Sequence, residues 1–267
     1  MRRLAVGAVI CLLTTCSGRH AFVPPSNALS ERPGTPPRVV GSGLFICPFG
    51  YGWEGVGRVV FAPNDAAKPT ADVRPDRCFS SLEEATRSGF HLASPPPGGE
   101  LVGAIYLVPP EPSVLATCRS AADRLGAAVL CPTVVPGAAD SMVECGPERC
   151  VFFGALALQF TFSGPPGYVG IPGQDGNHLF LLEARAGRER DVEFLTCQGG
   201  RRAGSATVRG RAGRWIDCPG GSSMNSGHVM LVWTEGVVRY AVSLHADTPV
   251  NRRIALAFAD RLGAAHP

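Results

Sequence analysis

The chain predicts an α+β fold: a curved antiparallel sheet with one or two packed helices, plus a small N-terminal α/β module. Three observations carry that reading. The last sixty residues alternate apolar and polar side chains with the period of paired strands and end in one amphipathic helix. The stretch SVLATCRSAADRL from Ser113 has helical spacing through Val114, Cys118, Ala121, Ala122 and Leu125, stops at Gly126, and runs into the strand AAVLCP. Between these regions, VFFGALALQFTF, HLFLLEARA and VEFLTC follow one another as strands with no helical pattern between them.

In HVMLVWTEGVVRYAVSLH, Val229, Leu231 and Trp233 share one strand face, and after the turn at Glu235-Gly236 so do Tyr240, Val242 and Leu244. Preceding them, ATVRG and GRWIDCP read as two further strands. Thr248 supplies an N-cap oxygen and Pro249 suits the first helical position, where a missing N–H costs nothing. Val250, Ile254, Ala257, Phe258 and Leu262 form the apolar stripe of that helix, and Gly263 is expected to end it.

Residues 1–20 read as a signal peptide, with Arg2 and Arg3 before a short apolar run too brief to span a bilayer. Its segment LTTC resembles the lipobox of bacterial lipoproteins, which implies lipidation at Cys16; Thr15 departs from the small residue usual there, and cleavage near Ala21 is the alternative. Residues 21–40, rich in Pro, Ser and Gly, are expected to be a disordered tether. Residues 41–99 form the small module and 100–267 the main domain, with SPPPGG at 94–99 as linker. Within the module, LFICPF and RVVFA read as strands, and Ser80 or Ser81 with Glu83 or Glu84 forms a capping-box pattern opening a two-turn helix stopped by Gly89. The segment CFSSLEEATRSGF is similar to the helix of zinc modules in DNA-repair methyltransferases, but His91-Leu92-Ala93 stands where that module has ligand cysteines, so no metal site is carried over.

Removing residues 1–16 takes two of the 25 basic side chains and none of the 22 acidic ones, leaving a balance of +1. That excludes nucleic acid as an electrostatic partner. Only Lys68 among the basic residues is a lysine. Eight of the ten cysteines lie beyond the signal: Cys47, Cys78, Cys118, Cys131, Cys145, Cys150, Cys197 and Cys218. An even set in an exported chain reads as a disulfide framework, for which 105 pairings exist. A local, nested scheme is the expectation here: 47 with 78, 118 with 131, 145 with 150, and 197 with 218. Cys145 and Cys150 lack a second pair at zinc-finger spacing, so no metal and no cofactor is expected.

CRSAADRLGAAVLCP, GPPGYVGIPG and NSGHVMLVWTEGVVRYAVSLH with its closing helix, in that order, resemble a group of predicted secreted proteins and lipoproteins of high-GC Gram-positive bacteria. The resemblance covers most of 101–262 and implies export without an assigned activity. The terminal hairpin and helix also look like the curved sheets of lipoprotein-carrier and sigma-regulator proteins of the periplasm, a likeness of shape.

Cys218 and His228 offer a thiolate and a base, and GHV opening a strand is similar to the His strand of cell-wall cysteine peptidases. Only ten residues separate them, with Pro219-Gly220-Gly221 after the cysteine instead of the helix that family has, so a structural cysteine is the competing reading. No Gly-x-Ser-x-Gly elbow exists, and GPPGYVGIPGQDGN lacks the Gly-Lys-Ser/Thr end of a phosphate loop. His178 and His245, each near a strand end, could join His228 as ligands, but the three have no ligand spacing and read as isolated strand residues. Trp215, Trp233 and Tyr240 read as core. The sequence therefore points to an exported, non-catalytic binding or envelope-interaction protein. Its expected contact surface is the loops 163–177 and 219–227, through Tyr168, Asp175, Asn225 and His228. Its expected partner is an envelope protein or an apolar small ligand, with the membrane touched only through a lipid anchor. A thiol-dependent cell-wall hydrolase using Cys218 and His228 is the alternative.

Overall fold

The computed structural model describes residues 34–40, 44–48, 51–70, 72–139, 151–152, 155–163, 176–185, 197, 199–219 and 226–266. Tyr168, Asp175, Asn225, Cys16, Cys145 and Cys150, the signal peptide and the strand VEFLT lie outside them. Among the described residues the fold is α+β, dominated by antiparallel strands with two helices longer than two turns.

The N-terminal part opens with the hairpin β1 (Arg38–Val40) and β2 (Leu44–Ile46). Thr35 exchanges backbone hydrogen bonds with Cys78, and the Gly34 amide donates to Glu84 Oε1 at 2.9 Å. The end of the stretch expected to be a tether is thus paired, because its extended residues meet unpaired backbone groups at Cys78. Next come β3 (Trp53–Val56), β4 (Val59–Phe61), β5 (Arg77–Phe79), the short helix α1 (Leu82–Arg87) and β6 (His91–Leu92), the four strands ordered β5-β3-β4-β6. The capping pattern is realised with its return bond shifted by one residue: Ser81 Oγ at the N-cap accepts from the Glu84 amide at 3.1 Å, while Glu84 Oε2 accepts from the amide of Ser80, just before the cap, at 2.8 Å.

LVGAIYLV is a hairpin, not one strand. Gly103 turns at φ +63° between β7 (Glu100–Val102) and β8 (Ile105–Val108), a left-handed conformation that glycine takes without steric cost. Then α2 (Pro112–Leu125) runs as its spacing predicts, closing on Gly126 at φ 56°, and leads to β9 (Val129–Pro132) and β10 (Val135–Pro136). Trp53, Phe79, Ala104 and Tyr106 belong to one apolar cluster, so the N-terminal strands share a core with β8.

The main sheet has seven strands in the order β11-β12-β13-β17-β16-β15-β14, all antiparallel. They are β11 (Val151–Phe152), β12 (Ala155–Ser163), β13 (Gly176–Arg185), β14 (Arg201–Val208), β15 (Arg211–Asp217), β16 (His228–Glu235) and β17 (Val238–His245). Helix α3 (Pro249–Asp260) follows, with Thr248 as N-cap accepting from the Asn251 amide. The helix ends at Arg261, and Gly263 is not its terminator. The chain straightens at once into β18 (Leu262–Ala265), which pairs with β9. The buried stripe of α3 is Asn251, Ile254, Ala255, Phe258 and Ala259, rotated from the predicted one.

Alternation sorts the sheet into two apolar faces. Leu158, Phe160, Leu179, Leu181, Val229, Leu231, Trp233, Tyr240, Val242 and Leu244 pack with α2 and α3. Phe180, Leu182, Met230, Val232 and Ala241 face the other way with Cys218. Trp215, Trp233 and Tyr240 are core residues, the last two stacked at 5.3 Å. Among the described residues three disulfides close, Cys47–Cys78, Cys118–Cys131 and Cys197–Cys218, as the nested scheme expects for those pairs.

Among the described residues of the main sheet, one buried position carries a carboxylate. Glu183 shares the helix-packed face, stands opposite Tyr240 in the ladder, and is fully buried, the Leu130 amide approaching its carboxylate without closing a well-formed hydrogen bond. Burial pushes its pKa well above the usual carboxylate range, Glu235 adds to the rise, and the Leu130 amide opposes it. A raised folded-state pKa contributes stability that is complete below the unfolded value near 4.5 and is lost as pH rises through the folded one. Glu183→Gln, neutral at every pH, is therefore expected to raise Tm at pH 7. The gain should shrink on acidification and vanish near pH 4.5, measured by calorimetry across that range.

Candidate metal centre

The register of the sheet brings three histidines into one row. His228 stands opposite His245 in the β16–β17 ladder. Leu179 pairs with Leu244, so the next step along that ladder places His178 beside His245. All three lie on the face away from the helices, with Phe180, Ser243 and Met230 in the row beneath. The His178 and His245 rings are 4.0 Å apart, those of His228 and His245 4.0 Å, and those of His178 and His228 5.1 Å.

Local structure holds each ring. His228 Nδ1 is 2.7 Å from Ser243 Oγ, which sits diagonally across the ladder. His178 meets Phe180 edge-on at 5.0 Å. His245 is fixed through its backbone: its amide donates to Asn177 Oδ1 at 3.3 Å, and its carbonyl accepts from the Asn251 side chain in the first turn of α3. Asn251 Nδ2 also reaches the Ala246 carbonyl at 3.1 Å, where the chain turns at φ 62°. The start of α3 thereby pins the end of β17 from the opposite side of the sheet.

His228 is 1% exposed, and its Nε2 has no hydrogen-bond partner among the described residues. Leaving such an atom buried and unpaired costs about 1–3 kcal/mol. One ligand atom from each histidine can be chosen so that all three lie within 4.8 Å of one another. Nitrogens on a tetrahedral ion with bonds of 2.0–2.1 Å stand roughly 3.3 Å apart, so small imidazole rotations would close the set. Burial lowers the pKa of His178 to about 4 and of His245 to about 4, His178 adding to the latter shift; burial and then the other two rings lower His228 to about 2. All three are neutral at pH 7, the form that donates a lone pair to a metal.

Cys218 occupies the adjoining position on the next strand. Its amide donates to the His228 carbonyl at 2.9 Å, and its carbonyl accepts from the Gly227 amide at 2.9 Å. Its sulfur is bonded to Cys197, so in this state it presents no thiolate. The row lies where β13 and β16 begin and β17 ends, at the edges of the two loops singled out from sequence. Of the four residues expected to bind, His228 is in the row; Tyr168, Asp175 and Asn225 lie outside the described residues. Sequence reasoning passed over Ser243, Asn177 and Asn251, which are polar residues in buried strand or helix positions and carry no motif. No protein-family model, curated protein or solved structure matches this chain.

The histidine pKa values set an acid limit. A depressed folded-state pKa means the unfolded chain takes up protons below pH 6.5 while the fold does not, so stability present above 6.5 is lost as pH falls toward 4. Glu183 has the opposite sign, but it is one group against three. The Tm of metal-free protein is expected to fall between pH 6.5 and 4.5, and His228→Asn to flatten that fall; an unchanged slope in the variant would contradict the assignment.

Proposed function

We propose that this protein is an exported, non-catalytic metal-binding protein of the cell envelope, holding one borderline transition-metal ion on His178, His228 and His245. The observation that carries the reading is the row of three neutral imidazoles, His228 and His245 buried and His178 half-buried, with an unpartnered Nε2 on His228. Three nitrogen donors suit Zn²⁺, Cu²⁺ or Ni²⁺ and do not suit Ca²⁺ or Mg²⁺, which require oxygen. This departs from the sequence expectation of no metal, because strand register supplies the proximity that linear spacing lacks.

Three disulfides fit an oxidising compartment, and no helix among the described residues is long and apolar enough to cross a membrane. Export through residues 1–20, a lipid anchor at Cys16 and the resemblance to secreted proteins and lipoproteins of high-GC Gram-positive bacteria belong to the same proposal. The thiol-hydrolase alternative has one observation in its favour, the placement of Cys218 directly across from His228, and one against it, the bond to Cys197.

Chelator-stripped protein titrated with Zn²⁺ at pH 7 should bind one equivalent by calorimetry, and Tm should rise by the equivalent of about 2.7 kcal/mol at a hundredfold excess over Kd. His178→Ala/His245→Ala should abolish both responses. Retained stoichiometry and affinity in that double variant would place the metal elsewhere; absence of binding by the wild type would return the search to an envelope protein or an apolar ligand. Intact mass from the native host should carry a diacylglyceryl increment at Cys16, and a mature chain starting after Ala21 would remove the anchor.

A further inference from the structure

The geometry points to a second site, on the outer edge of the seven-stranded sheet: Arg202, Ser205 and Arg214 form a clamp for a phosphate-type oxyanion. It shares no residue with the histidine row and does not depend on it.

Charge is concentrated on the β14–β15 hairpin. Residues 201–214 hold five arginines, Arg201, Arg202, Arg209, Arg211 and Arg214, and no acidic residue. The chain has 25 basic and 22 acidic residues, so outside this hairpin the balance is 20 to 22 and the sign is reversed. Arg209 is neutralised by Glu235 at 2.8 Å. Arg202 and Arg214 have no salt bridge among the described residues. Asp217 and Glu235, the carboxylates of β15 and β16, alternate with Trp215 and Trp233 onto the helix-packed face. Arg202, Ser205 and Arg214 are exposed on the other face.

A β-bulge brings the three together. Arg202 pairs with Ile216 and Gly204 with Trp215, so Ala203 is the extra residue and Ser205 falls opposite Arg214. In an unbroken ladder Ser205 would stand on the opposite face from Arg202; the extra residue puts both on one face. Two contacts hold this arrangement. Gly204 sits at φ +139°, which a residue with a Cβ rarely adopts. The Ala203 carbonyl accepts from Arg252 at 3.2 Å, and that guanidinium is itself fixed by two 2.6 Å bonds to Asp247 and lies 5.1 Å over the Trp215 ring. A bulge at a sheet edge that re-aims a side chain is a recurrent feature of binding sites.

The donors converge on one place. Arg202 donates to Ser205 Oγ at 3.3 Å, which leaves the serine proton to be donated onward. Arg214 stands directly across from that serine and diagonal to Arg202, a separation that long side chains span. Two guanidinium groups of like charge thus flank one hydroxyl, and an anion between them would relieve their repulsion. Three donors from separate directions suit a tetrahedral oxyanion, whereas a carboxylate is met by a single guanidinium fork. The site lies open on the surface of an edge strand, so it fits a phosphate group borne on a larger molecule.

The probe is inorganic phosphate, titrated at constant ionic strength while the arginine Nε–Hε resonances are followed by NMR. Those of Arg202 and Arg214 should shift together and saturate, and chloride should move neither. Arg202→Gln and Arg214→Gln should each weaken binding by about tenfold, the effect of losing one charge-assisted hydrogen bond. Arg201→Gln removes the same charge one residue away on the opposite face and should leave the affinity unchanged. Equal losses in Arg201→Gln and Arg202→Gln overturn the clamp, because diffuse charge then accounts for the binding. An equal response to chloride also overturns it and means an adventitious ion only. Vesicles identify the source of the phosphate, using Cys16→Ser so that no anchor contributes. Sedimentation with phosphatidylglycerol but not phosphatidylcholine vesicles, lost in Arg202→Gln/Arg214→Gln, supports the clamp on a lipid headgroup. Saturable phosphate binding without sedimentation supports it on a soluble phosphate ester. Absence of both overturns it.

Discussion

The register of the β16–β17 hairpin is the constraint on which the rest depends. With Glu235 paired to Val238, every later pair follows: Trp233 with Tyr240, Leu231 with Val242, Val229 with Leu244, and finally His228 with His245. A slip of one residue would exchange the two faces, driving Arg239 and Thr234 under α3 and the aromatic pair outward. The stacking of Trp233 on Tyr240 and the burial of Val242 and Leu244 against the α3 side resist that slip. The same energy that orders the core therefore aligns the histidines. They need no attraction for one another to be brought together, which matters because three packed imidazoles gain little from mutual contact.

Neighbouring elements refine what the hairpin begins. Asn251 reaches through to the end of β17 and holds the His245 and Ala246 carbonyls, and the Ala246 amide returns to the Gly227 carbonyl just before His228. The two strand ends that carry His228 and His245 are thus tied together outside the regular ladder. Ser243 then fixes the His228 ring through Nδ1, directing Nε2 into the row. A second layer of polar contacts behind a ligand ring orients it and fixes its tautomer in metal centres generally. The cost of burying these polar side chains is offset by their hydrogen bonds, whereas the cost of the His228 Nε2 is not offset by any described residue.

Much of the fold was readable from local pattern, and the site was not. The capping box at Ser81 and Glu84, the helix ending at Gly126, the hairpin faces and the three nested disulfides are each determined by residues close in the chain, where steric and hydrogen-bonding rules act directly. The pairing of β18 with β9 was missed because it joins residues more than a hundred positions apart, and LGAA has no strand propensity to announce it. His178 reaches His228 and His245 by the same kind of long-range pairing, through β13 with β17, so no spacing rule for metal ligands applies. Two of the three histidines were countable all the same. From the two-residue loop Gly236-Val237, equal steps back and forward arrive at His228 and His245 together.

Placing the ligands on strands instead of loops has a consequence for selectivity. Side chains in one row of a sheet are spaced by the 4.7–4.9 Å between strands, wider than the nitrogen separations on a bound ion, so the rings must converge by rotation and not by backbone movement. A small ion with short bonds to nitrogen is favoured by such a row, since each imidazole needs only to tilt. A large oxygen-seeking ion would find too few donors and no carboxylate in the group. On the proposed reading, the sheet would select a metal ion by donor type first and by geometry second.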